Sequence, residues 1–192
     1  MSNFHISITS GKYKGKKLNS ASLKTTRSTK SILKGSLFDT LQFEVVDTNF
    51  IEVFGGAGSI GLEALSRGAK KAYFIEKDKK AFSILLKNCQ LIDKINTRAI
   101  FDDTFFAYPK LIDELKGKNE QAFLYFDPPF DEREGMCDIY ERVVSLIENT
   151  PKKLALMIII EHSSNRKMSE KIGGFTKKKV KKFGKSSLSY YK

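Results

Sequence analysis

Cysteine and histidine are scarce in this chain. Its 192 residues hold two of each, at Cys89, Cys137, His5 and His162. They are scattered, so zinc-type spacing is missing and no metal site is expected. Two distant thiols cannot build a disulfide framework. A reducing cytoplasm is the simplest setting, and both cysteines read as small buried hydrophobes. Long apolar runs are missing too. The longest, residues 154–160, falls well short of the roughly 20 residues that a bilayer requires. Met1-Ser2-Asn3-Phe4-His5 lacks a basic segment followed by an apolar one, so no secretory leader is expected. Internal repeats and low-complexity linkers are absent.

Acidic residues are missing where basic ones gather. Residues 12–34 carry eight basic side chains and no acidic one, and residues 165–192 carry ten against one. The ends therefore hold +8 and +9 of a formal +12, which leaves −5 for the remainder. Solubility does not require such segregation, whereas a polyanionic partner explains it. Nucleic acid fits better than an anionic membrane, because no basic helix with large exposed apolar residues stands out. An apolar content of 41% and a charged content of 29% suit one soluble domain with a real core.

The pattern along the chain predicts α/β architecture. Residues 6–18 alternate around Gly11 and Gly15, as in a hairpin or extended arm. A helix is expected from about Lys30 to Phe43, capped by Ser28 or Thr29, with Ile32, Leu33, Ser36, Leu37 and Leu41 at helical spacing. Apolar strands are expected at 50–54, 71–75, 97–101, 122–126 and 154–160. Helices are expected between them, the one at 104–115 interrupted by Pro109. Short apolar strands alternating with helices imply a parallel sheet covered on both faces. Residues 176–182 and 187–191 flank Phe183-Gly184-Lys185-Ser186 as an antiparallel closing hairpin. The chain thus divides into a basic arm, 1–29, and one α/β domain, 30–192, with seven strands.

Ligands of such sheets bind beyond the carboxyl ends of the strands. There the first strand runs into Gly56-Ala57-Gly58-Ser59-Ile60-Gly61, a G-x-G-x-x-G turn before a helix. Glu76 lies 20 residues after Gly56 at the end of the second strand, where a carboxylate can accept both hydroxyl protons of a ribose. This much indicates an adenosine-containing cofactor, either NAD or S-adenosylmethionine. The fourth strand discriminates. It ends in Asp127-Pro128-Pro129-Phe130, where consecutive prolines stop the strand and present a carboxylate and a carbonyl side by side. A hydride-transfer enzyme has no use for that pair. An exocyclic amine does: Asp127 accepts one N–H, the Pro128 carbonyl the other, and Phe130 stacks on the base.

These residues resemble the bacterial small-subunit (16S) ribosomal RNA guanine-N2 methyltransferases of the RsmD type. The resemblance covers nearly the whole chain and is most specific over residues 54–69. Gly11-Lys12-Tyr13-Lys14-Gly15-Lys16-Lys17-Leu18, Thr26-Arg27-Ser28-Thr29 and the Asp127 motif carry it further. It implies a Rossmann-like methyltransferase fold, S-adenosylmethionine as cofactor, and ribosomal RNA as partner, either naked or in an assembling small subunit. It also implies that Glu52, Phe54, Gly56, Ala57, Gly58, Glu76, Lys77, Asp103, Thr104 and Asp127 serve the cofactor, with Asp103 on the adenine amine. A helix N-cap is the competing reading of Asp103. Lys12, Lys14, Lys16, Lys17, Arg27, Lys177, Lys178 and Lys179 are expected to meet RNA phosphates. Glu52 stands where the family has aspartate, and Ser28 where it has proline. The following helix lacks the family's arginines, and Gly35 weakens it by up to about 1 kcal/mol. A DNA adenine or cytosine amino-methyltransferase and a non-catalytic RNA-binding assembly factor on the same fold are the alternatives.

Overall fold

The computed structural model describes residues 5–20, 27–129 and 138–192, without the side chains of His5, Arg27, Ser28 and Thr29. Strands β1 (His5–Ser7) and β2 (Lys17–Asn19) form a small antiparallel ribbon. Helix α1 (Arg27–Leu41) follows and closes in a short 3-10 turn, Gln42–Val45. It begins before the expected Lys30, since no proline at position 28 forbids helix in Arg27. Then come β3 (Asn49–Glu52), α2 (Gly61–Ser66), β4 (Lys71–Glu76), α3 (Lys79–Ile92), β5 (Thr97–Phe101), α4 (Thr104–Gly117) and β6 (Ala122–Phe126). The chain ends with α5 (Ile139–Glu148), β7 (Ala155–Ser163), β8 (Lys171–Ile172), β9 (Phe175–Phe183) and β10 (Ser186–Tyr191).

The sheet has the order β5-β4-β3-β6-β7-β10-β9-β8. Strands β3 to β7 pair in parallel, while β10 is antiparallel to β7 and β9. The seven expected strands are all present, and the two-residue β8 adds an eighth at the edge.

The central strands are apolar on both faces because helices cover both. Phe50, Phe74, Phe123, Tyr125 and Ile159 face a cluster with α1, α2 and α3. Ile51, Tyr73, Ile75, Leu124 and Ile158 face α4 and α5 on the other side. Ile8 and Leu18 of the arm join the first cluster, so the basic ribbon is seated on the domain. Two large apolar helix residues stay outside the core, and the first of them belongs to the helical spacing expected of α1. Ile32 is 62% exposed and Leu86 40% exposed, each just beyond the edge of its buried face. Pro109 does not end α4, which continues to Gly117 as Leu111, Ile112 and Leu115 bury against the sheet.

Candidate functional site

The chain moves outward from β3 through β4 to β5, then crosses back to place β6 on the other side of β3. This reversal opens a crevice between the carboxyl ends of β3 and β6. Register aligns those ends. Glu52 pairs with Phe74 and with Tyr125, and Glu76 pairs with Phe101. The glycine turn, Glu76, Asp103 and Asp127 therefore leave neighbouring strands at one edge of the sheet.

The turn after β3 is built by glycines with different duties. Gly56 has φ +50° and Gly58 φ +77°, both in the left-handed region. A Cβ on Gly58 would lie 2.7 Å from Leu85 Cδ1, so that glycine permits packing against α3. A Cβ on Gly56 would meet nothing within 4 Å, so its backbone borders open space. Glu76 ties this turn to β4. One carboxylate oxygen accepts from Gly56 N at 2.7 Å and the other from Asp78 N at 2.7 Å. Asp78 in turn caps α3 by accepting from Ala81 N at 2.8 Å.

Glu52 lies beneath the turn. It is 5% exposed and accepts from Gly61 N at 2.8 Å and Ile60 N at 3.4 Å. Burial pushes its carboxyl up to about 8, against the pull of those backbone donors. Its observed partners are both at the start of α2, which it holds.

Beyond β5, Asp103 caps α4 by accepting from Phe105 N at 2.9 Å, and its second oxygen pairs with Lys77 Nζ at 3.2 Å. Burial raises this carboxyl, but the Phe105 N–H and Lys77 outweigh it, and the net shift is downward. The N-cap reading of Asp103 is realised, and one carboxylate edge still faces Lys77. Thr104 is buried and donates its hydroxyl to the Val53 carbonyl at 3.0 Å, fastening α4 to β3. Phe54 meets Phe105 edge-on at 6.3 Å, and the Arg142 guanidinium lies 3.6 Å from the Phe105 ring centre. An aromatic wall thus stands beside Asp103.

Asp127 emerges from β6 with its side chain 30% exposed, and Lys30 Nζ on α1 lies 3.9 Å from its Oδ2. Pro128 is buried and Pro129 half-buried. Phe130 and Cys137 lie outside the described residues. Cys89 is buried as expected, and burial pushes its thiol up to about 11.

The basic residues divide. Lys12, Lys14, Lys16 and Lys17 are all exposed on the arm. Lys12 and Lys16 flank the Tyr13 ring at 5.0 and 5.1 Å. The side chain of Arg27 is outside the described residues. The Lys177-Lys178-Lys179 run does not present one surface. A β-bulge pairs Lys179 with Tyr190 and Lys177 with Tyr191, whose rings lie on opposite faces of the sheet. Lys177 is turned inward, donating to the Met168 carbonyl at 2.8 Å and pairing with Glu170 at 2.6 Å. Lys178 is exposed at the bulge. Lys179 packs over Tyr190, and Lys181 reaches Ser36 Oγ of α1 at 3.0 Å.

Three residues that sequence reasoning passed over shape the site: Lys30 beside Asp127, Glu63 beneath the arm, and Asn88 beneath the glycine turn. Only Glu63 and Asn88 had a sequence signal, as polar residues amid apolar neighbours on helices.

A family model described as "Conserved hypothetical protein 95" matches residues 6–192. "Ribosomal RNA small subunit methyltransferase D" of Escherichia coli K12 is 31% identical over 144 residues, 75% of this chain and 67% of its own length. The protein of that name in Haemophilus influenzae is 29% identical over 165 residues, 84% of this chain and 80% of its own. Among solved structures, a Haemophilus influenzae protein described as a methylase superposes with a TM-score of 0.70 at 26% identity, covering 98% of each chain.

Proposed function

This chain belongs to the family described as "Conserved hypothetical protein 95", and on that premise we propose that it is an S-adenosylmethionine-dependent methyltransferase of small-subunit ribosomal RNA, acting on a guanine N2 amine. One observation carries the chemistry: the Gly56 turn, Glu76 and Asp127-Pro128 leave adjacent strand ends at the point where the strand order reverses. The curated relatives supply the ribosomal RNA. The resemblance of residues 54–69 and of the arm supplies the guanine. Work on ribosomal RNA implies the cytoplasm as its setting.

The residues fit the cofactor. Gly56 borders open space where a side chain would intrude, and Glu76 stands beside it with the acceptor chemistry that a ribose diol requires. Asp103, beyond the next strand, has an acceptor for an adenine amine, and Lys77 steadies it. Phe54 and Phe105 offer an apolar wall. Ala57 and Gly58 complete the turn, while Glu52 and Thr104 support it from below. When bound, S-adenosylmethionine supplies an electrophilic methyl group on a sulfonium, so the transfer calls for no metal.

The chain's own part is orientation. The amine nitrogen of a guanine has its lone pair delocalised into the ring. Asp127 accepts one N–H and the Pro128 carbonyl the other, which draws the nitrogen toward a tetrahedral, nucleophilic form. An ordinary aspartate, near 3.9, is too weak a base to deprotonate such an amine outright. Once the nitrogen has displaced a neutral thioether from the methyl carbon, the nitrogen's protons become acidic, and Asp127 takes one late. Phe130 stacks on the base in this reading. Lys12, Lys14, Lys16, Lys17, Arg27, Lys178 and Lys179 hold phosphates. Lys177 is left out because its side chain is turned inward, with its ammonium held between the Met168 carbonyl and Glu170.

The test is transfer of labelled methyl to small-subunit RNA from cells lacking this protein, with mass mapping of the product. Label on a guanine N2 supports the reading. Label on duplex DNA, or none on RNA, overturns it.

A further inference from the structure

Asn88 is fully buried on α3, and its amide joins two parts of the molecule that are far apart in sequence. Toward the arm it mimics a strand partner. Asn88 Oδ1 accepts from Asn19 N at 2.8 Å and from Asn19 Nδ2 at 3.1 Å, and Asn88 Nδ2 donates to the Asn19 carbonyl at 3.0 Å. Toward the site, the same Nδ2 donates to the Ala57 carbonyl at 2.8 Å. Both amide protons and the carbonyl oxygen are used, as a buried amide requires.

Ala57 sits between the two left-handed glycines, Gly56 and Gly58. The turn closes on itself through Gly58 N to the Gly55 carbonyl at 2.7 Å, and the other end of that same peptide, the Ala57 carbonyl, is left to be held from outside. Asn88 aims it. Asn19 ends β2, the strand that carries Lys17, and the same ribbon is fastened to the far end of α3. There Tyr13 donates to Asp93 at 3.0 Å and Lys16 to the Leu91 carbonyl at 3.2 Å. The basic ribbon and the glycine turn thus meet at one side chain.

We propose that Asn88 is a positioning residue that couples the arm to the glycine turn, so that RNA held on the arm and cofactor held at the turn strengthen each other. This rests on the methyltransferase reading above. Phosphates that hold the arm in its seat keep Asn19 against Asn88, and Asn88 then keeps the Ala57 peptide in place. Linkage makes the effect reciprocal: a turn held by ligand steadies Asn88, and through it the arm. A purely structural amide would lower stability without linking the two affinities.

The experiment measures calorimetric affinity for S-adenosylhomocysteine, using the full chain with and without a saturating small-subunit ribosomal RNA transcript. In the unaltered protein, RNA should tighten that affinity at least fivefold. In Asn88→Ser, the ratio should fall to within about twofold of one, with thermal unfolding showing that the variant is folded. A ratio of one or less in the unaltered protein overturns the proposal, and this arm requires no variant to fold. An unchanged ratio in Asn88→Ser overturns it as well. Failure of the methyltransferase reading looks different: the unaltered protein then binds no S-adenosylhomocysteine even alone, and both fall together.

Discussion

Lys34 Nζ lies 3.0 Å from Glu63 Oε2, with the two side chains 4% and 0% exposed. The same carboxylate accepts from Thr9 N, Thr9 Oγ1 and Ser10 N and pairs with Arg67 Nε at 2.9 Å. It is the anchor by which α2 holds both the arm and α1. Removing it strands a buried ammonium, a loss of about 3–5 kcal/mol. Glu63→Ala should lower the urea midpoint at neutral pH accordingly, and Lys34→Met should lower it less. Burial pushes the Glu63 carboxyl up, but Lys34 and Thr9 outweigh it, so the folded value lies below 4.5. Its stabilisation is therefore present above 4.5 and lost as pH falls through the lowered value. An acid midpoint unchanged by Glu63→Ala would contradict this.

Glu52 has the opposite sign. Its folded value of about 8 exceeds the ordinary 4.5, so the folded state holds a proton that the unfolded chain has lost. Stability should fall as pH rises between those values, by up to about 1.4 kcal/mol per unit. Glu52→Gln keeps the acceptor for Gly61 N without the ionisation. Denaturant titrations from pH 5 to 9 should show the slope in the unaltered protein and a flatter one in the variant.

Asp127→Ala should cut turnover by roughly 10²-fold or more, since it removes the acceptor proposed for the reacting amine. Affinity for S-adenosylhomocysteine should stay within about threefold, because Gly56 and Glu76 are untouched. Single-turnover rates and calorimetry separate the two quantities. Turnover that survives would refute the assignment.

RNA affinity should depend steeply on salt. Six to ten engaged phosphates would cost about 10³–10⁵ in affinity between 50 and 200 mM salt. Lys12→Glu with Lys14→Glu should reduce the slope by about 2, whereas Lys177→Gln should leave it unchanged. Filter-binding titrations across that range would expose a flat response if the arm plays no part.

Local chemistry made much of this protein legible. Apolar runs of strand length, separated by helical spacing, announce a parallel sheet, because each side chain's face follows from its own neighbours in the chain. The Gly56–Gly61 turn and the Asp127-Pro128-Pro129 stop are likewise local, since glycine permits and proline forbids conformations at their own positions. The charge segregation needs only counting. What tertiary structure decided involves partners distant in sequence. Glu63 pairs with Thr9, 54 residues away, and Asn88 with Asn19, 69 residues away. No periodicity encodes either. The bulge at Lys178 divides a run that composition reads as one basic stripe, because its site depends on the pairing with β10. The resemblance assigns Glu52 to the cofactor, and only packing shows it buried under the glycine turn with the start of α2 as its partner. Sequence named the residue types at the strand ends. Packing determined which of them face the crevice and which hold it in shape, because burial and hydrogen-bond partners are properties of the assembled chain.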